Sequence, residues 1–107
     1  MSFKIKQTMK NATPEQIAAW KAEHVYVYKL KSDNADKVCY LRKPTRQELS
    51  FASTAGATDA LKFNDSILKS CWLYGDEEIK TNDTLFLGIC PQLDEICAFE
   101  KFELEKL

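Results

Sequence analysis

Histidine occurs once in the 107 residues, glycine three times and proline three times. Each scarcity removes a class of chemistry. With His24 as the lone imidazole, and no cysteine or serine nucleophile near it in sequence, a histidine-based general base has little to work with. His24 reads as a partly exposed strand residue. Gly56, Gly75 and Gly88 stand too far apart to build a GxGxxG or GxxxxGK phosphate loop, so a nucleotide-binding turn is not encoded. No CxxC pair occurs among Cys39, Cys71, Cys90 and Cys97. Cys90 and Cys97 would lie two helical turns apart, about 10 Å, too far to share a zinc ion. Long apolar runs are also missing. No stretch of 7–15 apolar residues follows the N-terminal lysines, and none approaches the roughly 20 that cross a bilayer, so neither a signal peptide nor membrane spanning is expected, and the expected compartment is the cytoplasm. Finally, 15 basic against 16 acidic residues leave a net charge of -1, which withholds the phosphate attraction behind most nucleic-acid binding.

What remains is an ordinary globular composition, 45% hydrophobic and 29% charged, in a chain sized for one core. The expected organisation is an arm or extension over 1–12 and a single α+β domain over 13–107. Thr13, Pro14 and Gln16 place a cap, a first-turn proline and a capping-box glutamine, predicting a short helix to about Glu23. From His24 the period changes to two, with Tyr26, Tyr28 and Leu30 on one face. Turn residues from Ser32 to Asp36 and a second β-type run, Val38 to Arg42, complete a hairpin over about 24–42; residues 3–7 are a candidate third strand.

Thr45 and Glu48 form a second capping box and begin a helix over 45–55, with Gly56 expected as a left-handed end. Thr58 or Asp59 caps a helix over about 58–72 that carries Leu61, Ile67, Leu68, Cys71 and Trp72. Asn82 or Asp83 caps a third, over about 83–105, on the period of Phe86, Ile89, Cys90, Leu93, Ile96 and Cys97. Pro91 predicts a kink or break in it near 88–91. The fold class is therefore α+β, an N-terminal helix followed by a hairpin packed on a three-helix, mostly antiparallel cluster. Cys71, Cys90 and Cys97 are expected as buried free thiols, Asp76, Glu77 and Glu78 as solvated surface, and Lys37, Arg42, Lys43 and Arg46 as a small basic cluster. Sequons at Asn11, Asn64 and Asn82 carry no meaning without secretion.

Aromatics are the surplus. Trp20, three of the tyrosines, Trp72, Tyr74 and several phenylalanines exceed what one small core needs, and Phe99 and Phe102 fall off the apolar stripe into a charged tail. This predicts a polypeptide-binding surface built from Trp72, Tyr74, Phe99 and Phe102. No catalytic, cofactor-binding or metal-ligating set is expected.

Two stretches, KVCYLRKPTRQELS over 37–50 and SCWLYGDE over 70–77, followed by a C-terminal amphipathic helix, resemble the small tail assembly chaperones of tailed bacteriophages and prophages in the order of strand pair, helix start, Cys-Trp and Gly-Asp. The resemblance covers roughly 13–107. It implies a non-enzymatic protein of the bacterial host cytoplasm that binds the aggregation-prone tape measure protein. The alternatives are a structural tail or head-completion component that self-associates, and a small adaptor.

Overall fold

A computed structural model describes residues 11–33, 36–98 and 100–107. The fold is α+β, and its elements run α1 (Pro14–Glu23), β1 (Val27–Lys31), β2 (Val38–Arg42), α2 (Arg46–Ala55), α3 (Ala60–Cys71), β3 (Trp72–Gly75), α4 (Glu78–Thr81) and α5 (Asp83–Ile96). The strands make one antiparallel sheet in the order β1-β2-β3.

Both capping boxes form. Thr13 Oγ accepts from Gln16 N–H at 3.1 Å while Gln16 Oε1 accepts from Thr13 N–H at 2.9 Å, and Thr45 and Glu48 repeat the exchange at 3.2 and 2.9 Å. Two orphan amides are satisfied at each helix start, which is why short helices begin where the sequence places them. The hairpin also forms, in the register Tyr28↔Leu41 and Leu30↔Cys39. It begins at Val27 rather than His24, which instead follows the last residue of α1 and donates its N–H to the Trp20 carbonyl at 2.8 Å.

The third strand is Trp72–Gly75; the candidate at 3–7 lies outside the described residues. The helix expected over 58–72 thus stops one residue early. β2 has a free edge beside it, and the aromatic run Trp72-Leu73-Tyr74 is better suited to pairing there than to another helical turn. With both neighbours present, β2 is covered on both faces: Val38, Cys39, Tyr40 and Leu41 are all buried. On one side Leu41 and Cys39 join Ala52, Ile67, Leu68, Cys71, Ile79, Ile89, Leu93 and Ile96 in the main core. On the other, α1 sets Trp20 against Tyr40 and Tyr74, at centroid distances of 5.4 and 6.3 Å.

The polar connector after Tyr74 is more ordered than its composition suggests. Asp76 donates its N–H to the Val38 carbonyl at 2.9 Å and accepts Val38 N–H on its carboxylate at 3.0 Å, so it is buried and not solvated surface as the sequence implied. Glu77 and Glu78 do face solvent, paired with Lys80 and Lys37 at 2.8 and 2.6 Å. Gly75 makes this approach possible. Its φ of +147° is disfavoured for side chains, and a Cβ there would stand 2.5 Å from both Cys39 Cα and the Val38 oxygen. Gly56, by contrast, has φ −84° and is not left-handed; its role is steric, since a Cβ would meet Phe63 Cβ at 2.8 Å where α2 turns into α3.

α5 continues unbroken through Pro91. The carbonyl deprived of a donor belongs to Leu87, on an exposed side of the helix where water can replace the bond. The helix ends at Ile96 and not near 105. Lys43 Nζ takes up the carbonyls of Ile96 and Ala98 at 3.2 and 2.5 Å, closing the C-terminal end. Past it, residues 100–107 are exposed and non-helical, because nothing packs against Phe102 or Leu104 and a short unsupported helix is marginal.

At the same end of β2, Arg42 makes a two-pronged ion pair with Glu48 at 2.8 and 2.7 Å and donates to the Ser70 carbonyl at 2.7 Å, joining β2, α2 and α3. The guanidinium beside it, assisted by Thr45, lowers the Glu48 pKa from 4.5 to about 2. A depressed carboxylate stabilises the fold above the unfolded-state pKa and ceases to as pH falls through the folded one. Urea melts should therefore show about 2–3 kcal/mol of wild-type stability disappearing between about pH 5 and pH 2, and a Glu48→Gln variant should lack that portion of the decline. Gly75→Ala should cost about 3 kcal/mol or more in the same melts at neutral pH.

Candidate functional site

The residues nominated for partner binding are not gathered into one patch. Between Tyr40 and Leu41 the β2–β3 register shifts, so that Tyr40 faces Tyr74 while Leu41 faces Trp72, and Leu73 is the extra residue of a bulge. A regular strand would put residues 72 and 74 on one face. Here the bulge separates them: Trp72 packs against the main core, and Tyr74 joins Trp20 and Tyr40 beneath α1. Both are half-buried. Phe102 is 94% exposed, on the segment beyond α5. Phe99 lies outside the described residues.

Trp72 still reaches towards a surface. Lys80 Nζ sits 4.4 Å from its ring centroid, a cation–π contact that covers the indole with a flexible side chain. The same lysine borders a shallow pocket of 260 Å³ between α3 and α5, formed with Leu61, Lys62, Asp65, Asp83 and Phe86. Leu61 is 47% exposed there, and Leu87, next in sequence to Phe86, is 52% exposed.

A larger groove, of 620 Å³, went unforeseen in the sequence. It lies between the open edge of β1 and the N-terminal half of α5. Its apolar floor is Leu30, Ile79, Leu85 and Ile89, and Lys29, Lys31 and Lys37 stand on its rim. Gly88 leaves its α5 wall without a side chain, and a Cβ there would meet nothing within 4 Å. Asp33 is the single carboxylate of the lining, which holds neither histidine nor cysteine. An apolar floor with a cationic rim suits an apolar segment that also carries acidic residues. The signals for it were present as Lys-Leu-Lys in a strand and as a glycine within a helical pattern, but they are 57 positions apart and only the fold adjoins them.

The remaining polar groups serve the structure. Of the basic cluster, Lys37, Arg42 and Lys43 bind Glu78, Glu48 and the α5 carbonyls. Among the described residues no group of three His, Cys, Asp or Glu side chains is placed to hold a metal ion, and no helix is long and apolar enough to cross a membrane. Asn64 is half-buried with its Oδ1 shielded, so it is not a displayed sequon, and Asn82 caps α5 through Leu85 N–H at 3.1 Å.

Comparison with family models, with curated proteins and with solved structures found no match to this chain.

All four cysteines are free thiols, but their burial divides them differently from expectation. Cys39 and Cys71 are fully buried, whereas Cys90 and Cys97 are half-buried, because the stripe of α5 is wider than the core it faces. Burial pushes Cys39 up to about 12, aided by the Asp76 charge, and Cys71 likewise up to about 12, with Arg42 opposing. Cys90 and Cys97 are raised by partial burial, and Cys90 donates its thiol to the Phe86 carbonyl at 3.2 Å. Thiol labelling of the native protein at pH 8, read by mass spectrometry, should modify Cys90 and Cys97 first and reach Cys39 and Cys71 only on unfolding.

Proposed function

We propose that this chain is a non-enzymatic protein-binding module that covers apolar segments of a partner polypeptide, acting as a tail assembly chaperone towards a tape measure protein in the bacterial cytoplasm. The observation that carries the reading is the display of large apolar side chains on ordered helices: Phe51 on α2 is 69% exposed, Leu61 on α3 47% and Leu87 on α5 52%. Apolar groups held outward on helices retain their contact area for a partner while their backbone is already ordered, which lowers the entropic cost of binding. The pocket between α3 and α5 is the centre of this surface. There an apolar side chain of the partner rests on Leu61 and Phe86, and Lys80 shifts from above Trp72 to extend the contact. This revises the nominated set: Trp72 takes part through its Lys80-covered face, and Tyr74, enclosed with Trp20 and Tyr40, serves the fold. The choice of partner rests on the resemblance of 37–50 and 70–77 to tail assembly chaperones.

Co-expression with the tape measure protein encoded in the same genome, followed by affinity capture, tests the reading. The wild type should retain the partner in soluble form, and Leu61→Glu, at an exposed position that leaves the core untouched, should lower recovery about tenfold. Failure of the wild type to recover or solubilise the partner would remove the chaperone reading.

A further inference from the structure

Among the described residues β1 is an edge strand with no strand paired on its outer side, and beside it lies the groove floored by Leu30, Leu85 and Ile89. Its side chains alternate across the sheet: Leu30 turns inward to the floor, and Lys29 and Lys31 stay exposed on the other face. A strand added here would match that alternation with apolar residues towards the floor and acidic residues opposite the lysines.

Within residues 100–107, the stretch 102–105 carries this pattern. Phe102 and Leu104 alternate with Glu103 and Glu105, so an extended conformation puts both apolar side chains on one face and both carboxylates on the other. Their side chains are unpartnered: Phe102 is 94% exposed and Leu104 100%, and among the described residues 100–107 make no hydrogen bond or ion pair. Eight extended residues span about 26 Å, enough to run the five-residue length of β1. Residues 1–10, the other flanking segment, hold Lys4, Lys6 and Lys10 and no acid, so their charge repels the lysine rim, whereas 100–107 carry Glu100, Glu103 and Glu105 against Lys101 and Lys106, with the two central acids placed to meet the lysines.

We propose that residues 100–107 of one copy add as a strand to the open edge of β1 in a second copy, seating Phe102 and Leu104 on Leu30, Leu85 and Ile89 and pairing Glu103 and Glu105 with Lys29 and Lys31. The segment leaves α5 where Lys43 holds the Ile96 and Ala98 carbonyls, at the far end of the sheet from the groove, and it extends from its own body with every residue exposed. Exposed along its length, the segment is presented to the complementary strip of another copy. Reciprocal exchange closes a two-fold dimer in which each copy gives one strand and receives one. This dimer involves a different surface from the α3–α5 pocket and stands independently of the chaperone reading.

Gly88 supplies a variant that blocks the groove and spares the fold. Leucine there points its side chain into open space and favours the helix, so Gly88→Leu should keep the wild-type circular dichroism and melt no lower than the single-copy wild type while filling the seat of Phe102. Sedimentation equilibrium of the full chain should return twice the 12.3 kDa mass for the wild type, and a single mass for both Gly88→Leu and the Phe102→Ser, Leu104→Ser pair. Mixing the two variants should restore a one-armed dimer, since one retains the groove and the other the strand. Raised salt should weaken the wild-type dimer. A wild type that stays single throughout the micromolar range, including one whose strand folds onto its own β1, would overturn the proposal; so would a dimer indifferent to both variants. Gly88→Leu should meanwhile capture the tape measure protein as the wild type does, which separates the fate of this inference from that of the chaperone reading.

Discussion

Glu48 is the joint on which the architecture turns. Its carboxylate completes the capping box of α2 through Thr45 N–H and at the same time receives both prongs of Arg42, which reaches on to the carbonyl of Ser70 near the end of α3. One acidic side chain thereby fixes where α2 starts, the angle at which it leaves β2, and where α3 must finish. Because the pair is half-buried and its geometry two-pronged, it belongs to the ion pairs with real structural weight, unlike the exposed Lys69–Asp65 pair on α3. With α3 ended at Cys71, the chain is delivered to the open edge of β2 and continues as β3.

The second constraint lies at the other end of β3. Gly75 brings the backbone against Cys39, and Asp76 reproduces the pairing of one further strand residue with its own amide and carboxylate on Val38. A buried carboxylate is costly unless its hydrogen bonds are made. Here the bond goes to a strand-end amide that would otherwise lack a partner. Between the Arg42 corner and the Gly75 crossing, β2 is held along its whole length, with the helical core on one face and Trp20 under α1 on the other.

Among the described residues the same arrangement leaves β1, one of the two edge strands, without a strand on its outer side. β1 carries Lys29 and Lys31, the kind of charged edge that discourages indiscriminate strand pairing while admitting a segment of opposite charge. Apolar side chains are also held outward on α2, α3 and α5, at Phe51, Leu61 and Leu87. A single β2-centred frame thus carries the different features that the two proposals draw on, one strand-like and one helical.

The sequence alone determined the elements whose causes are local. The capping pairs Thr13 with Gln16 and Thr45 with Glu48 act over three residues, the hairpin follows from alternation and a turn, and the core stripe of α5 from its period; each was legible and each is in the fold. What depended on distant partners was not. Trp72–Gly75 is too short for a periodic signal and became a strand only because β2 lay beside it, and the bulge that parts Trp72 from Tyr74 exists only in that pairing. Asp76 looked like its acidic neighbours until Val38 N–H was placed above it, and α5 stopped short of its apparent length because Lys43 closed its end and nothing packed on the residues beyond. The groove is the furthest case: Lys29 and Gly88 have no relation in the chain, and tertiary structure made them neighbours by packing α5 against the core-facing side of β1.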